Sequence, residues 1–144
     1  MIQMIACITS NNAIGKDDEI VVKSKEYEKW LKEEVKGTFI IVGKKTYDEN
    51  VLPEDIYDNE YFILKDDVEE IDVYNEKDIS IIGGEKTFET FVDQADVIKL
   101  AEMNGYYTAD AFFPEFDVDC YDVKIIKDLD EKNEVGVIKE YWKK

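Results

Sequence analysis

Residues 79–88 read Ile79-Ser80-Ile81-Ile82-Gly83-Gly84-Glu85-Lys86-Thr87-Phe88, an apolar run followed by two glycines and then by helix-forming residues. The run Ile79–Ile82 predicts a buried strand, and the segment from Glu85 to Phe91 predicts a helix that begins directly after the glycines. The first N–H groups of a helix lack backbone partners and its dipole favours an anion, while glycine lets a ligand approach the main chain closely. This junction therefore predicts a phosphate-binding turn, and a turn without a ligand is the alternative.

A second strand-to-helix junction has the sequence Ile41-Val42-Gly43-Lys44-Lys45-Thr46. We expect a strand over Thr38–Val42 and a brief helix over Lys44–Glu49. Two such junctions on neighbouring parallel strands would meet at the carboxyl edge of the sheet, where open α/β folds bind ligands. The pair predicts a site for one elongated phosphate-bearing ligand, and the alternative is that Lys44 and Lys45 are ordinary solvated side chains.

The rest of the chain predicts an α/β fold with a mostly parallel central sheet flanked by helices, in one domain over residues 1–144. Ser24 is the expected N-cap of a helix through Val35, whose apolar residues recur at three- and four-residue steps. A polar turn region that includes Asp128 to Asn133 separates the last two predicted strands, which should form an antiparallel hairpin. The further predicted strands are Ile2–Ile8, Tyr61–Leu64, Val97–Met103, Tyr121–Ile126 and Val137–Trp142.

The composition is strongly acidic, because 35 Asp and Glu against 18 basic residues, all of them Lys, give a net charge of −17. Such a field repels phosphate backbones and anionic membranes, so neither nucleic acid nor a membrane is expected as a partner. Cys7 and Cys120 lack metal-ligand spacing and the chain has no His, which predicts two separate thiols and no metal site. The sequence has no apolar run of about 20 residues and its N-terminus runs directly into a strand without a basic leader, so we expect a cytoplasmic protein. We also expect a monomer. A protein partner bound through the acidic surface is the alternative to a surface that only confers solubility.

Six fragments of the sequence resemble dihydrofolate reductases in their order and approximate spacing. They are Ile5-Ala6, Ile14-Gly15, Trp30, Gly43-Lys44-Lys45-Thr46, Ile82-Gly83-Gly84 and Phe113-Pro114. The resemblance spans most of the chain. It implies an eight-stranded, mostly parallel sheet with NADPH along one edge and a pterin in a cleft beside it, and hydride transfer between the two.

The resemblance implies three groups of cofactor-binding residues. Ala6, Cys7, Ile14 and Gly15 would face the nicotinamide, and the phosphates would lie on Gly43, Lys44, Lys45, Thr46, Gly83, Gly84, Glu85, Lys86 and Thr87. Leu64 and Lys65 would lie near the adenine ribose, followed by a segment, Asp66 to Lys77, that looks shortened relative to the family. Lys65 could meet a 2′-phosphate that Asp66 would repel, so the choice between NADPH and NADH stays open.

The folate substrate would be bound by Ile5, Ala6, Tyr27, Glu28, Leu31, Lys32, Ile82 and Ala101. Reduction of dihydrofolate needs a proton at the pterin N5, for which the family has a carboxylic acid on its first helix. Alignment on Trp30 places Tyr27 there, between Glu26 and Glu28. Either a glutamate moves inward and supports protonation, or both face solvent and Tyr27 packs in the core. Tyr27 and Glu28 are the candidate catalytic residues.

Other substrate-site positions also depart from the family. Ala101 stands in place of a Thr that bonds the acid, and Val21-Val22 stand where a Pro-Trp pair closes a mobile loop. The segment Asn50 to Glu60 contains no cation for the anionic glutamate tail of the substrate, which leaves Lys32 as the nearest match to a tail-binding position.

Three functions are compatible with these residues. The first is a divergent dihydrofolate reductase that produces tetrahydrofolate with NADPH. The second is a catalytically impaired protein of the same fold that acts as an acidic protein-binding or structural component. The third is a pyrimidine reductase of the riboflavin-pathway type.

Overall fold

The computed structural model describes residues 1–49, 51–65, 78–129 and 136–144 of the chain. The strands in these ranges are β1 (Ile2–Thr9), β2 (Ala13–Lys16), β3 (Glu19–Ile20), β4 (Phe39–Gly43), β5 (Tyr61–Leu64), β6 (Ile79–Ile81), β7 (Val97–Met103), β8 (Ala111–Phe112), β9 (Tyr121–Asp128) and β10 (Gly136–Lys143). The α-helices are α1 (Lys25–Val35), α2 (Lys44–Asp48) and α3 (Glu85–Phe91), and 3-10 helices lie at Glu54–Asp58 and Val118–Cys120. None of the helices in the described ranges has the length and apolar character needed to cross a membrane.

The larger of two sheets has the strand order β5-β4-β6-β1-β7-β10-β9. Its first five strands are parallel, whereas β10 runs antiparallel to both β7 and β9. The predicted α/β fold with a mostly parallel sheet and a C-terminal antiparallel hairpin is therefore confirmed. The resemblance implied eight strands, and the described residues supply seven. Since β4 and β6 are direct neighbours, their carboxyl ends lie side by side.

The predicted elements agree with the structure to within two residues at their ends. The strand β9 extends to Asp128, so this residue of the predicted turn region belongs to the strand. Residues 130–135 of that turn region lie outside the described residues. The same holds for Asp66 to Lys77, the segment that looks shortened relative to the family, and for Asn50.

A second sheet, of order β3-β2-β8, was not predicted. Its strands are two to four residues long, too short for an alternating pattern to be visible. The turn between β2 and β3 consists of Asp17 and Asp18, both with positive φ, at 50° and 63°. Two-residue hairpin turns with positive φ usually contain Asn-Gly or Asp-Gly, so a pair of aspartates is a weak sequence signal.

Both faces of the larger sheet are covered, because side chains along a strand point alternately to opposite faces. In β1, Met4 belongs to the core cluster that contains Phe88 of α3, and Ile5 belongs to the cluster that contains Leu31 of α1. The helices α1 and α3 therefore flank the sheet. Continuous apolar strands are what such a doubly covered sheet requires.

The helix α1 begins where the sequence predicts. Ser24 has an extended backbone conformation, and its hydroxyl accepts a hydrogen bond of 3.1 Å from the Tyr27 N–H. Tyr27, Trp30, Leu31 and Val35 are buried and recur at helical spacing, which gives the helix one apolar face. The N-cap thus sets the point at which that face starts to pack on the sheet.

Replacement of Ser24 by Ala should lower the free energy of unfolding by about 1 kcal/mol, because the Tyr27 N–H loses its acceptor. Urea unfolding followed by circular dichroism measures the change. Lys23→Ala, at the exposed preceding position, is the control and should change the free energy by less than about 0.5 kcal/mol. Equal losses in the two variants would contradict the capping role.

Candidate functional site

Two turns lie side by side at the carboxyl edge of the larger sheet. One leads from β4 into α2 at Gly43, and the other leads from β6 into α3 through Gly83 and Gly84, whose connecting peptide bond is cis. The Gly43 N–H donates to the Gly83 carbonyl at 2.7 Å, and the Ile82 N–H donates to the Ile41 carbonyl at 3.1 Å. The two predicted junctions are therefore neighbours in the structure.

The turns interlock because their glycines leave space for side chains from the opposite turn. A Cβ at Gly43 would lie 2.7 Å from Thr87 Oγ1, and a Cβ at Gly84 would lie 2.5 Å from Thr46 Oγ1. Gly83 has a φ of +145°, a conformation that residues with side chains rarely adopt. Each threonine thus occupies the position that a side chain at the facing glycine would need.

A cleft of about 490 Å³ opens along these turns, within the size range of small-molecule sites. Its lining comes from β1, the β2–β3 hairpin, α1, both turns and residues 51–53. The part formed by Val22, α1 and residues 51–53 is mainly apolar and includes Leu31 and Leu52. The part formed by the turns contains lysine and threonine side chains. The cleft therefore has an apolar half and a charged half.

Two lysines of the charged half are paired with carboxylates of the same chain. Lys44 Nζ lies 2.5 Å from the Asp48 carboxylate, one turn further along α2. Lys45 Nζ lies 2.9 Å from the Asp18 carboxylate in the β2–β3 turn, and the hydrogen bond and charge of Asp18 raise the pKa of Lys45. Exposed ion pairs of this kind are weak, so a phosphate oxygen can replace either carboxylate.

The smaller sheet is attached to both turns. Asp18 connects the β2–β3 hairpin to Lys45 of α2, and the Phe112 N–H of β8 donates to the Glu85 carboxylate of α3 at 2.6 Å. These contacts hold Ile14 of β2 at the cleft. The sheet that the sequence did not predict is therefore part of the site.

The helix α1 presents Tyr27 and Glu28 to the cleft. The Tyr27 side chain is only 7% exposed, and its ring centroid lies 5.8 Å from that of Trp30. Burial raises the pKa of Tyr27 well above its ordinary value, and the proximity of Cys7 and Glu28 adds to the rise. Tyr27 is therefore a neutral phenol near neutral pH and a poor proton donor.

The two glutamates that flank Tyr27 have different surroundings. Glu28 is half-buried and lines the cleft. Glu26 lies outside the cleft, where its carboxylate is 3.7 Å from the ammonium groups of both Lys29 and Lys127. The structure places Tyr27 in the core, as one of the sequence alternatives states, while Glu28 lines the cleft and Glu26 does not.

Most of the predicted site residues line this cleft. They are Ala6, Cys7, Ile14, Gly15, Tyr27, Glu28, Leu31, Gly43, Lys44, Lys45, Thr46, Ile82, Gly83, Gly84, Glu85, Lys86 and Thr87. The structure thus brings the nicotinamide, phosphate and pterin groups of the sequence prediction together in one cavity.

Five predicted residues are not part of the lining. Ile5 and Ala101 have no exposed surface and are enclosed in the core cluster that contains Tyr27. Leu64 is also buried in the core, and Lys65 is exposed. Both lie at the end of β5, which is separated from β6 by β4. Lys32 points instead to Asp55, with 3.0 Å between its ammonium group and the carboxylate.

Sequence reasoning missed several lining residues. They are Lys16, Asp18, Glu19, Ile20, Ser24, Glu49, Val51, Leu52, Pro53, Phe88, Asp110 and Ala111. Most of them belong to the β2–β3 hairpin, to the start of α1 or to the chain after α2. The one available signal was the apolar run Val51-Leu52-Pro53, shortly after a predicted short helix. An isolated apolar run in a polar segment indicates a surface to which something else binds or packs.

Comparisons with known proteins agree with one another. The family model described as dihydrofolate reductase matches residues 1–144. The dihydrofolate reductase of Ureaplasma parvum serovar 3 is 28% identical over 141 residues, which cover 85% of this chain and 90% of that protein. The dihydrofolate reductase of Haemophilus influenzae is 26% identical over 144 residues, which cover 90% of each. A solved structure of dihydrofolate reductase from Enterococcus faecalis, complexed with NADP(H) and RAB-propyl, has a TM-score of 0.77 at 20% identity, over 99% of this chain and 96% of that one.

The interlock of the turns predicts a specific energetic coupling between Gly84 and Thr46. Gly84→Ala should destabilise the fold because its Cβ meets Thr46 Oγ1, and Thr46→Ala should recover part of that loss. A double-mutant cycle by urea unfolding should give a coupling energy of about 1 kcal/mol or more. The control is Thr90→Ala, which removes a hydroxyl of α3 instead of the Thr46 hydroxyl of α2. Its effect on the free energy of unfolding should be additive with that of Gly84→Ala. Additivity in both cycles would contradict the interlock.

Proposed function

This chain belongs to the dihydrofolate reductase family, and we propose that it is a divergent dihydrofolate reductase that converts dihydrofolate to tetrahydrofolate with NADPH. The observation that carries the proposal is the pair of interlocked glycine turns along a cleft with one charged and one apolar half. The charged half suits the phosphates of a dinucleotide, and the apolar half suits a planar pterin ring. We further propose that the chain acts as a single domain and as a cytoplasmic monomer.

The residues around the turns fit the phosphates of NADPH. The ammonium groups of Lys44, Lys45 and Lys86 line the same part of the cleft as the starts of α2 and α3. Both features favour anions, and the ion pairs that hold Lys44 and Lys45 are exposed enough to exchange. NADPH, when bound, supplies the hydride for the reduction. Ala6, Cys7, Ile14 and Gly15 are proposed to lie against its nicotinamide.

Glu28 is proposed to support protonation of the pterin. A group with this role must reach the substrate directly or through one water molecule, and Glu28 is the carboxylate that α1 presents to the apolar half of the cleft. Tyr27, one residue earlier, keeps its proton and forms part of the wall. The acid is therefore displaced by one residue along the helix rather than replaced by the phenol.

Steady-state oxidation of NADPH in the presence of dihydrofolate tests the proposed activity. The rate should exceed that of a control without enzyme and should saturate with dihydrofolate. A rate equal to the control at saturating substrate would exclude the activity and favour the catalytically impaired alternative. Oxidation that depends on a ribosylated pyrimidine instead would favour the riboflavin-pathway type of reductase.

Glu28→Gln should lower kcat by about 100-fold near neutral pH, because the amide keeps the shape of the side chain but cannot deliver a proton. Glu26→Gln is the matched control, since it removes the neighbouring carboxylate outside the cleft, and should leave kcat nearly unchanged. Stopped assays over a range of pH measure both. A similar kcat for Glu28→Gln and the unmodified chain would show that protonation does not depend on this carboxylate.

A further inference from the structure

The charges of the cleft are divided unevenly between its two halves. Every lysine that lines the cleft belongs to β2, α2 or α3, namely Lys16, Lys44, Lys45 and Lys86. The wall formed by α1 and residues 51–53 contributes the Glu28 carboxylate and no ammonium group. Glu49, at the end of α2, adds a second carboxylate on this side, while the lysines of the other half are accompanied by Asp18, Glu19, Glu85 and Asp110. In the described part of the chain, the half that would hold the pterin is therefore apolar with a negative rim.

Two cations of α1 beside this wall are already engaged with carboxylates. Lys32 follows the lining residue Leu31, and its ammonium group lies 3.0 Å from the Asp55 carboxylate on the 3-10 helix. Lys29, one turn earlier on α1, lies 3.7 Å from Glu26. This exposed ion pair is weak as well, but a ligand carboxylate that replaces Asp55 exchanges one carboxylate contact for another and leaves Asp55 unpaired beside it, so the net gain is small. With no Arg in the chain, no planar bidentate contact to a carboxylate is available either.

These charges affect the two parts of dihydrofolate differently. The reduced pterin ring is uncharged near neutral pH, whereas the glutamate tail carries two carboxylates. If the cofactor occupies the charged half, the tail must leave the cleft past α1 and residues 51–55. On that side Glu49 lines the cleft and the adjacent 3-10 helix begins with Glu54 and Asp55, on a chain whose net charge is −17. Like charges oppose binding of the tail, and each added glutamate increases the repulsion.

We infer that the site recognises the pterin ring alone, so that its substrate class is 7,8-dihydropterins with neutral 6-substituents as well as dihydrofolate, and that the glutamate tail adds no net affinity. The inference rests on the proposed function. The Lys32–Asp55 ion pair is the contact that removes the tail-binding cation. Lys32 is therefore a specificity-determining residue, because Asp55 pairs with the ammonium group that the glutamate tail would otherwise contact.

Three substrates at saturating NADPH test this inference on the full chain. They are 6-methyl-7,8-dihydropterin, dihydrofolate and dihydrofolate triglutamate. The kcat/KM for the tail-less pterin should equal or exceed that for dihydrofolate, and the triglutamate should be about two- to fivefold poorer than dihydrofolate at low salt. Added salt should reduce the second difference, because screening weakens the repulsion. A kcat/KM for dihydrofolate ten times that of the tail-less pterin would overturn the inference.

Asp55→Asn tests the role of the ion pair directly. Release of Lys32 should raise the ratio of kcat/KM for dihydrofolate to kcat/KM for the tail-less pterin by about two- to fivefold. Asp58→Asn removes an exposed carboxylate from the same 3-10 helix, and therefore the same net charge, and should leave the ratio unchanged. Equal ratios in the two variants would overturn the inference. Absence of NADPH oxidation with all three substrates would instead contradict the proposed function.

Discussion

The hydrogen bond from the Gly43 N–H to the Gly83 carbonyl, 2.7 Å long, joins the ends of two adjacent parallel strands and constrains the surroundings of the site. It holds the turns so close that Thr87 and Thr46 fill the space next to the glycines of the opposite turn. The helices α2 and α3 consequently start from one region at the carboxyl edge of the sheet. A ligand that contacts one helix start is placed within reach of the other, which is the geometry an elongated phosphate-bearing molecule needs.

The second constraint is electrostatic. Under the proposed function, a chain with a net charge of −17 and no Arg must attract an anionic cofactor, and the lysines that Asp48 and Asp18 hold near the turns are the cations proposed for this role. On the substrate side Lys32 is held by Asp55 in the same way. The difference lies in what surrounds each pair. At the turns, helix starts and two further lysines, Lys16 and Lys86, accompany the pairs together with carboxylates. Among the described residues, the lining beside α1 contains carboxylates and apolar side chains and no lysine.

The sequence predicts most of the larger sheet because its strands are continuous apolar runs and its junctions contain glycine, signals that depend on neighbouring residues only. The β2–β3 hairpin was missed because its turn uses Asp17 and Asp18 and its strands are too short to show a period. Site residues taken from the resemblance line the cleft where they lie on the turns, and on β1 Ala6 and Cys7 line it whereas Ile5 is enclosed in the core. Lys32 could not be placed from sequence, because its direction depends on a carboxylate 23 positions further along the chain.

The melting temperature as a function of NADPH concentration tests the central claim most directly, because a ligand that binds only the folded chain must stabilise it. We expect the melting temperature to rise with the logarithm of the NADPH concentration. The added stabilisation of the fold should be about 2.7 kcal/mol at 100 times the dissociation constant. ATP at equal concentration, which has phosphates but no nicotinamide, should give a smaller shift. An unchanged melting temperature at millimolar NADPH, or equal shifts for the two ligands, would contradict the claim that the paired turns and the adjacent cleft form a nicotinamide dinucleotide site.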